Sequence, residues 1–152
     1  MPDKENLEKI FTISLAPDLK TFALVVPSLE AVFKKYGFDD TQIKLYGVAV
    51  EEVFTYCAKM AAPNNRFWID ISIGLGKTSL HITIGYEGPG GSLAQYFTKG
   101  TKKKLKRTSF DALGLYIAQE VVNSLQYTGF GGKRNEFALS LTLPQSLEDH
   151  SE

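Results

Sequence analysis

The chain has 152 residues, 43% of them hydrophobic and 22% charged, a composition that favours a single globular domain over a disordered or fibrous chain. Its 17 basic and 17 acidic residues cancel, which argues against a general attraction to nucleic acid or anionic lipid. The single cysteine excludes an internal disulfide, and neither a signal-peptide pattern nor an apolar run of about 18 residues is found, so we expect a cytoplasmic protein.

The first elements are a strand and a helical segment. Alternating apolar residues at 10–15 predict a short opening strand. From Asp18 to Tyr36 the apolar residues recur every three or four positions, as on the buried face of a helix. Pro27 lies inside this segment, and because proline lacks a backbone N–H it predicts either a kink or the start of a new helix. Gly37 is expected to end the helix.

A second helix and a hairpin follow. The helix is expected to begin at Asp39 or Asp40, since either can cap its first turn. Its predicted buried face consists of Ile43, Tyr46, Val50, Val53, Phe54 and Cys57. Two alternating segments, 67–75 and 79–84, lie on either side of a Gly-Lys turn and predict a β-hairpin.

The rest of the chain contains a long loop, a third helix and two strands. Residues 86–110 show no periodicity, and we interpret them as a loop that is either functional or mobile. The third helix is predicted at 109–124, and the closing strands at 125–128 and 136–143, before an acidic tail at 144–152. Strands that alternate with segregated helices in this way predict an α+β two-layer sandwich.

Four segments of the sequence, taken in order, resemble one protein family. They are AVEEVFTYCAK (49–59), ITIGYEGPG (82–90), ALGLYIAQEVVNSLQY (112–127) and GGKRNEFALSLTL (131–143). Together they resemble the GHKL ATPase superfamily, which has the histidine kinase-like ATPase fold. Within it they are most similar to the anti-sigma regulatory factors, the serine-protein kinases of bacterial partner-switching systems.

The resemblance covers residues 10–143, between an N-terminal segment 1–9 and the acidic tail. It implies a two-layer α/β sandwich of the GHKL (Bergerat) type, with a mixed, largely antiparallel sheet and three helices on one face. It also implies that the loop at 86–110 is the lid over an ATP site. Three family motifs form that site, and each is altered here.

In the first motif, a helix carries a Glu that acts as the base and, four residues later, an Asn that ligates Mg²⁺. That spacing brings both side chains onto one helix face. Glu52 matches the Glu, but Tyr56 stands at the Asn position. A phenol with a pKa of about 10 is a poor Mg²⁺ ligand. Considered without the resemblance, Glu51 and Glu52 equally fit a solvated helix edge.

In the second motif, Asp-x-Gly-x-Gly follows a strand, and the Asp accepts a hydrogen bond from the adenine amino group. This chain keeps Gly88, Pro89 and Gly90 but has Tyr86 in place of the Asp. Losing a buried acceptor costs about 1–3 kcal/mol, and the ring fills space that adenine needs. Glu87 would point to the opposite side if the strand continued. Alternatively, the stretch is only a loop whose glycines relieve backbone strain.

In the third motif, Gly-Leu-Gly-Leu at the start of a helix offers backbone N–H groups to phosphate. The chain reads DALGL at 111–115, so Gly114 is kept while Ala112 adds a methyl group. Asp111 places a carboxylate in the first turn, where it takes the electrostatic role of a phosphate.

The basic run in the predicted lid leaves several interpretations open. Lys102 and Lys104 are candidate contacts for a triphosphate, together with Lys99, Lys103, Lys106 and Arg107. The same charges suit an acidic partner surface or nucleic acid, or they form a solvated, mobile segment. No aromatic residues interleave the run, which disfavours single-strand nucleic-acid binding.

The remaining candidates carry less information. His81 and His150 have no second ligand at metal spacing, so no metal site is expected. Cys57 is interpreted as a small buried apolar residue, and Trp68 as a core residue. The GFGG segment at 129–132 is interpreted as a turn between strands.

One change in each motif predicts a degraded nucleotide site that binds neither ATP nor Mg²⁺. The expected function is therefore anti-sigma-factor-like regulation of transcription by protein–protein binding, without kinase activity. The partner would be a sigma factor or an antagonist of the anti-sigma factor, and the family implies that homodimers can form. The alternative is an active ATP-dependent anti-sigma serine/threonine kinase that uses ATP and Mg²⁺, with Glu52 as its base.

Overall fold

The structure, a computed structural model, describes residues 7–61, 68–88, 110–130 and 134–144. Within these ranges the chain forms five strands, three α-helices and one 3₁₀ helix. In chain order they are β1 (Glu8–Leu15), the 3₁₀ helix (Leu19–Leu24), α1 (Val26–Lys35), α2 (Asp40–Ala61), β2 (Ile69–Leu75), β3 (Ser79–Glu87), α3 (Phe110–Val121), β4 (Ser124–Phe130) and β5 (Arg134–Thr142). The α+β class predicted from the sequence is confirmed.

The five strands form one sheet in the order β1-β2-β3-β5-β4. Each neighbouring pair is antiparallel, so the expectation of a mixed sheet was wrong for the described strands. A short turn accounts for the antiparallel pair β2 and β3, because parallel neighbours need a crossover. β1 and β2 are antiparallel although the 3₁₀ helix, α1 and α2 lie between them in the chain. The pairing of β1 with β2 is irregular at one point, where a shift between Lys9 and Phe11 leaves Ile10 as the extra residue of a bulge.

The two faces of the sheet differ in polarity, because side chains alternate along each strand. One face packs against the helices and is formed by buried residues such as Ile71, Ile82 and Leu139. The opposite face is polar: Thr12 and Ser72 share a hydrogen bond of 2.9 Å between their hydroxyls. The core therefore lies between one side of the sheet and the helix layer, as a two-layer sandwich requires.

The helical segment predicted from Asp18 onward is two helices. The 3₁₀ helix ends at Leu24 and α1 begins at Val26, which places Pro27 in the first turn of α1. A proline is tolerated there because the first N–H groups of a helix have no intrahelical partner. Gly37 follows α1 with a φ of 91°, a left-handed conformation that glycine adopts without strain.

The second helix, α2, is the longest and lies at the centre of the helix layer. Asp39 Oδ1 accepts a hydrogen bond from the Gln42 N–H at 2.7 Å, and Gln42 Oε1 accepts one from the Asp39 N–H at 2.9 Å. This reciprocal cap fixes where the helix begins. α2 contacts α1, α3, β2 and β3, so its side chains reach both the sheet and the neighbouring helices.

Several helices and strands begin or end at residues other than those predicted from the sequence. β3 runs to Glu87, so the first residues of the predicted loop at 86–110 belong to a strand, and Phe110 already belongs to α3. α3 ends at Val121, because the chain enters β4 at Ser124. The prediction that Trp68 lies in the core was wrong, since 60% of its surface is exposed. Ile69 faces inward, and alternation directs its neighbour outward.

Candidate functional site

The structure describes five of the residues predicted at the three motifs: Glu52, Tyr56, Tyr86, Gly88 and Gly114. The backbone of Ala112 belongs to α3, but its side chain is not described. Gly90, Lys102 and Lys104 lie outside the described residues, so their assignments stay predictions.

Tyr56 points from α2 into the core. Only 3% of its surface is exposed. Its ring meets that of Phe137 on β5 edge to face, with centroids 5.6 Å apart and an interplanar angle of 84°. The Tyr127 ring on β4 packs against Phe137 from another side at 5.4 Å. These geometries are the ones that aromatic pairs favour, so Tyr56 contributes to packing between α2 and the sheet.

Tyr86 is the last inward-facing residue of β3 and is completely buried. Burial raises the pKa of its phenol well above the ordinary value, and the nearby Cys57, Tyr56 and Tyr127 raise it further. The hydroxyl therefore stays protonated and neutral at physiological pH. The neighbouring Glu87 is exposed, so the prediction that it would point to the opposite side is confirmed.

We call the group formed by Tyr56, Tyr86, Tyr127 and Phe137 the aromatic cluster. It lies between α2 and the neighbouring strands β3, β5 and β4. Two of its members occupy the positions at which the family resemblance implies a Mg²⁺ ligand and an adenine acceptor. At both positions the side chain is an aromatic ring packed within the protein.

A buried asparagine connects the aromatic cluster to the end of β3. Asn135 pairs with Tyr86 across the sheet, and only 1% of its surface is exposed. Its Oδ1 accepts a hydrogen bond from the Tyr127 hydroxyl, and its Nδ2 donates one of 2.6 Å to the Gly88 carbonyl. Both the oxygen and the nitrogen of the side-chain amide thus have a hydrogen-bond partner, as buried polar groups usually do.

Asn135 was not singled out from the sequence, although a signal was present. In the segment 134–142 the odd-numbered positions carry Phe137, Leu139 and Leu141, which are apolar. An asparagine on that same row predicts a polar group on the buried face of a strand. Buried polar groups have hydrogen-bond partners in folded proteins, so such a residue marks a specific contact.

Gly88 begins the glycine-rich segment after β3. Its φ of 144° lies in a region that side-chain-bearing residues rarely adopt. Its carbonyl is bound by Asn135, which fixes the backbone directly after β3. The glycine at this position is therefore required by the backbone conformation.

Glu52 and Gly114, predicted from two different motifs, are in contact. A Cβ placed on Gly114 would collide with the Glu52 carboxylate, and it would lie 3.3 Å from the Glu52 Cδ. The missing side chain at Gly114 thus lets α3 approach α2 closely. The Glu52 carboxylate consequently rests on the backbone of α3, where the resemblance implies a phosphate.

Cys57 lies on α2 beside Tyr56 and is fully buried. Burial raises the pKa of its thiol far above the ordinary range, which keeps the sulfur protonated and a poor nucleophile. The prediction that Cys57 is a buried apolar residue is confirmed.

The described residues do not fit Mg-ATP at the positions implied by the resemblance. Mg²⁺ selects compact oxygen ligands such as carboxylates, whereas Tyr56 offers a packed ring. Adenine recognition needs space beside the strand, and the buried Tyr86 ring fills that space on the inward side of β3. Across 7–61, 68–88, 110–130 and 134–144, no three His, Cys, Asp or Glu side chains lie together as a metal site requires.

No protein-family model matches the chain, and no curated protein matches it. None of the helices in the described ranges combines the length and apolar character that crossing a lipid bilayer requires.

Proposed function

We propose that this chain is an anti-sigma-factor-like regulatory protein with a GHKL fold, that it acts by binding a protein partner in a bacterial partner-switching pathway, and that its nucleotide site is lost. The order of the four resembling segments and the antiparallel α+β architecture support the fold. The observation that carries the loss of the site is the complete burial of Tyr86.

The free-energy cost of displacing Tyr86 would weaken nucleotide binding substantially. An adenine ring in place of Tyr86 would have to displace a buried aromatic side chain, and deleting such a side chain costs about 3–5 kcal/mol. Since each 1.4 kcal/mol is a factor of ten in affinity, binding would weaken roughly a hundredfold to several thousandfold. A dissociation constant of about 1 μM would then rise to between about 0.1 mM and a few millimolar.

Calorimetry with Mg-ATP and Mg-ADP tests the proposal directly. We expect no heat of binding at micromolar nucleotide and no rise in Tm with nucleotide concentration, because only a ligand that binds the folded state stabilises it. Micromolar binding of either nucleotide would refute the loss of the site.

Restoring the family residues tests the fold assignment. The triple variant Tyr56→Asn, Tyr86→Asp, Ala112→Gly is expected to gain nucleotide affinity. The control variant Tyr56→Phe, Tyr86→Phe keeps the ring shapes and should gain none. If the triple variant retains the native circular dichroism spectrum but binds no nucleotide, either the GHKL assignment or the register of the motifs is wrong.

One observation favours the alternative, an active ATP-dependent serine/threonine kinase. Glu52, the candidate base, lies beside Gly114 of the third motif, so two residues implied for one site do meet. Transfer of radiolabelled phosphate from ATP to a serine of the cognate antagonist separates the two functions, with Glu52→Ala as the test variant and Glu120→Ala, at an exposed helix position outside both sites, as its matched control. We expect no transfer, and labelling that Glu52→Ala alone abolishes would establish the kinase instead.

A further inference from the structure

An apolar notch lies on the side of α2 that faces α1. Its volume is about 340 Å³, and its floor is formed by Phe22, Leu29, Phe33 and Ile43. Gly47 lies beside this floor, in the middle of α2. We call this feature the α1–α2 notch.

Gly47 has no packing role among the described residues. A Cβ placed on it would meet no atom within 4 Å. Glycine inside a helix is destabilising relative to alanine, and at Gly114 a close neighbour accounts for it, whereas at Gly47 nothing in the described part of the chain does. A group that approaches α2 at this point, from beyond the described residues, would account for the open space.

The walls of the notch are two helical stripes with three-, four- and seven-residue spacing. On α1 the stripe is Val26, Leu29, Glu30 and Phe33, and on α2 it is Lys44, Gly47, Val48 and Glu51. Helix walls have already used their backbone N–H and C=O groups internally, so a bound peptide could not add as a strand. Two ridged helices instead offer a groove for the side chains of a third.

The charged residues of the α1–α2 notch lie at its rim. Glu30 and Glu51 are exposed, one on each wall. Neither carboxylate forms an ion pair with any residue that the structure describes. Lys44 is the basic residue of the rim, so the rim as a whole is acidic. A partner with a lysine or arginine beside an apolar side chain would complement it.

We propose that the α1–α2 notch is the docking site for an amphipathic helix of the protein partner, which inserts one large apolar side chain over Gly47 and places a basic residue between Glu30 and Glu51. This inference rests on the proposed function, since it names the surface through which that protein–protein binding occurs. A small-molecule ligand is disfavoured because the floor offers apolar side chains and no convergent buried polar groups.

Two synthetic helical peptides of about 16 residues test the proposal, a length at which isolated helices begin to be stable. Both carry the same Leu and Phe anchors, and their flanking charges are lysine in one and glutamate in the other. Titrated into the ¹⁵N-labelled full chain, the lysine peptide should shift the amide resonances of Val26, Gly47 and Val48. The glutamate peptide should bind roughly tenfold more weakly.

Substitutions in the notch test whether the peptides bind there. Gly47→Leu fills the open space, so it should weaken the lysine peptide roughly tenfold or more without lowering Tm. Glu30→Lys with Glu51→Lys should reverse the preference between the two peptides, and Leu45→Ala, on the exposed side of α2 outside the notch lining, should change neither.

Several results would overturn the proposal: no shifts at these amides, equal binding to Gly47→Leu, or binding of a small apolar probe such as benzene where the peptides fail. Self-association that Gly47→Leu abolishes would identify a second copy of the chain as the occupant instead. These outcomes are independent of nucleotide calorimetry. Nucleotide binding with intact peptide docking would refute only the lost site, whereas absent docking without nucleotide binding would refute only the notch.

Discussion

Replacing Asn135 by alanine should destabilise the protein more than any comparable polar substitution among the described residues. The substitution removes both the acceptor of the Tyr127 hydroxyl and the donor to the Gly88 carbonyl. A buried polar group left without its partner costs about 1–3 kcal/mol. Tyr127 and Gly88 are partly exposed, so water can relieve part of that cost, and we expect a loss of about 2–4 kcal/mol in the free energy of unfolding.

Asn123 provides the matched control. Its Oδ1 accepts one hydrogen bond of 2.8 Å from the Thr142 N–H, but the side chain is exposed. Asn123→Ala should therefore cost only about 0.5–1.5 kcal/mol. Urea unfolding, followed by circular dichroism and tryptophan fluorescence, gives both values from the shift in midpoint at constant m.

A double-mutant cycle isolates the bond between Tyr127 and Asn135. Tyr127→Phe removes only the hydroxyl, so in the Asn135→Ala background it should cost less than in the wild type. We expect the two backgrounds to differ by about 1 kcal/mol, as is typical of residues in contact. If Asn135→Ala cost no more than Asn123→Ala, or if the two substitutions were additive, the bridge described here would not exist.

The other predictions concern a glycine pair, the pH dependence of stability and the thiol. Gly47→Ala should stabilise the protein by about 0.5–1 kcal/mol, whereas Gly114→Ala should be about 1 kcal/mol less favourable because it must displace the Glu52 carboxylate. Thermal unfolding should show that Glu52→Ala removes this difference. Equal effects of the two alanine substitutions would contradict the contact between Glu52 and Gly114. The folded protein keeps Tyr86 protonated at a pH where the unfolded chain loses that proton. The stability contributed by Tyr86 is therefore fully present below the ordinary tyrosine pKa of about 10 and falls above it, by at most about 1.4 kcal/mol per pH unit for one group. Tyr86→Phe should reduce the fall of the urea midpoint above pH 10, and an unchanged slope would argue against the burial of Tyr86. Cys57 should react with a thiol reagent such as DTNB only as fast as the protein opens, and stoichiometric labelling of the native protein within seconds would be incompatible with its position.

The sequence predicted the fold where local patterns decide it. Alternation located β2 and β3, and Asp39, one of the two expected caps, does cap α2 through its reciprocal hydrogen bonds with Gln42. Trp68 is exposed although it is aromatic, because it precedes the inward-facing Ile69 and so lies on the outward row.

The limits of β3 could not be predicted locally, because its last residues depend on a distant strand. Gly85 lies on the outward row, and the sequence becomes glycine-rich directly after Glu87, which favoured a loop from Tyr86. In the structure Arg134 lies across Gly85 and forms an ion pair of 3.1 Å with Asp70 on the outer face. The missing Cβ makes room for the arginine, and this continues the pairing to Glu87.

In the candidate site, too, some features follow from local sequence and others depend on distant contacts. Tyr56 and Tyr86 could be placed by analogy with motif positions, but that both rings would pack into one cluster with Phe137 and Tyr127 depends on contacts across four elements. Asn135 shows the limit most clearly. Its row on the strand predicts burial, while its partners stand 8 and 47 residues away along the chain.

The bulge at Ile10 has a consequence for the behaviour of concentrated solutions. β1 is an edge of the sheet, and a regular edge strand is a template on which extended segments of other molecules polymerise. The extra residue between Lys9 and Phe11 breaks the even spacing of backbone groups, and the flanking Glu8 and Lys9 are exposed charges. An incoming strand finds only a short uninterrupted stretch, so this edge resists fibril growth even when the chain is crowded.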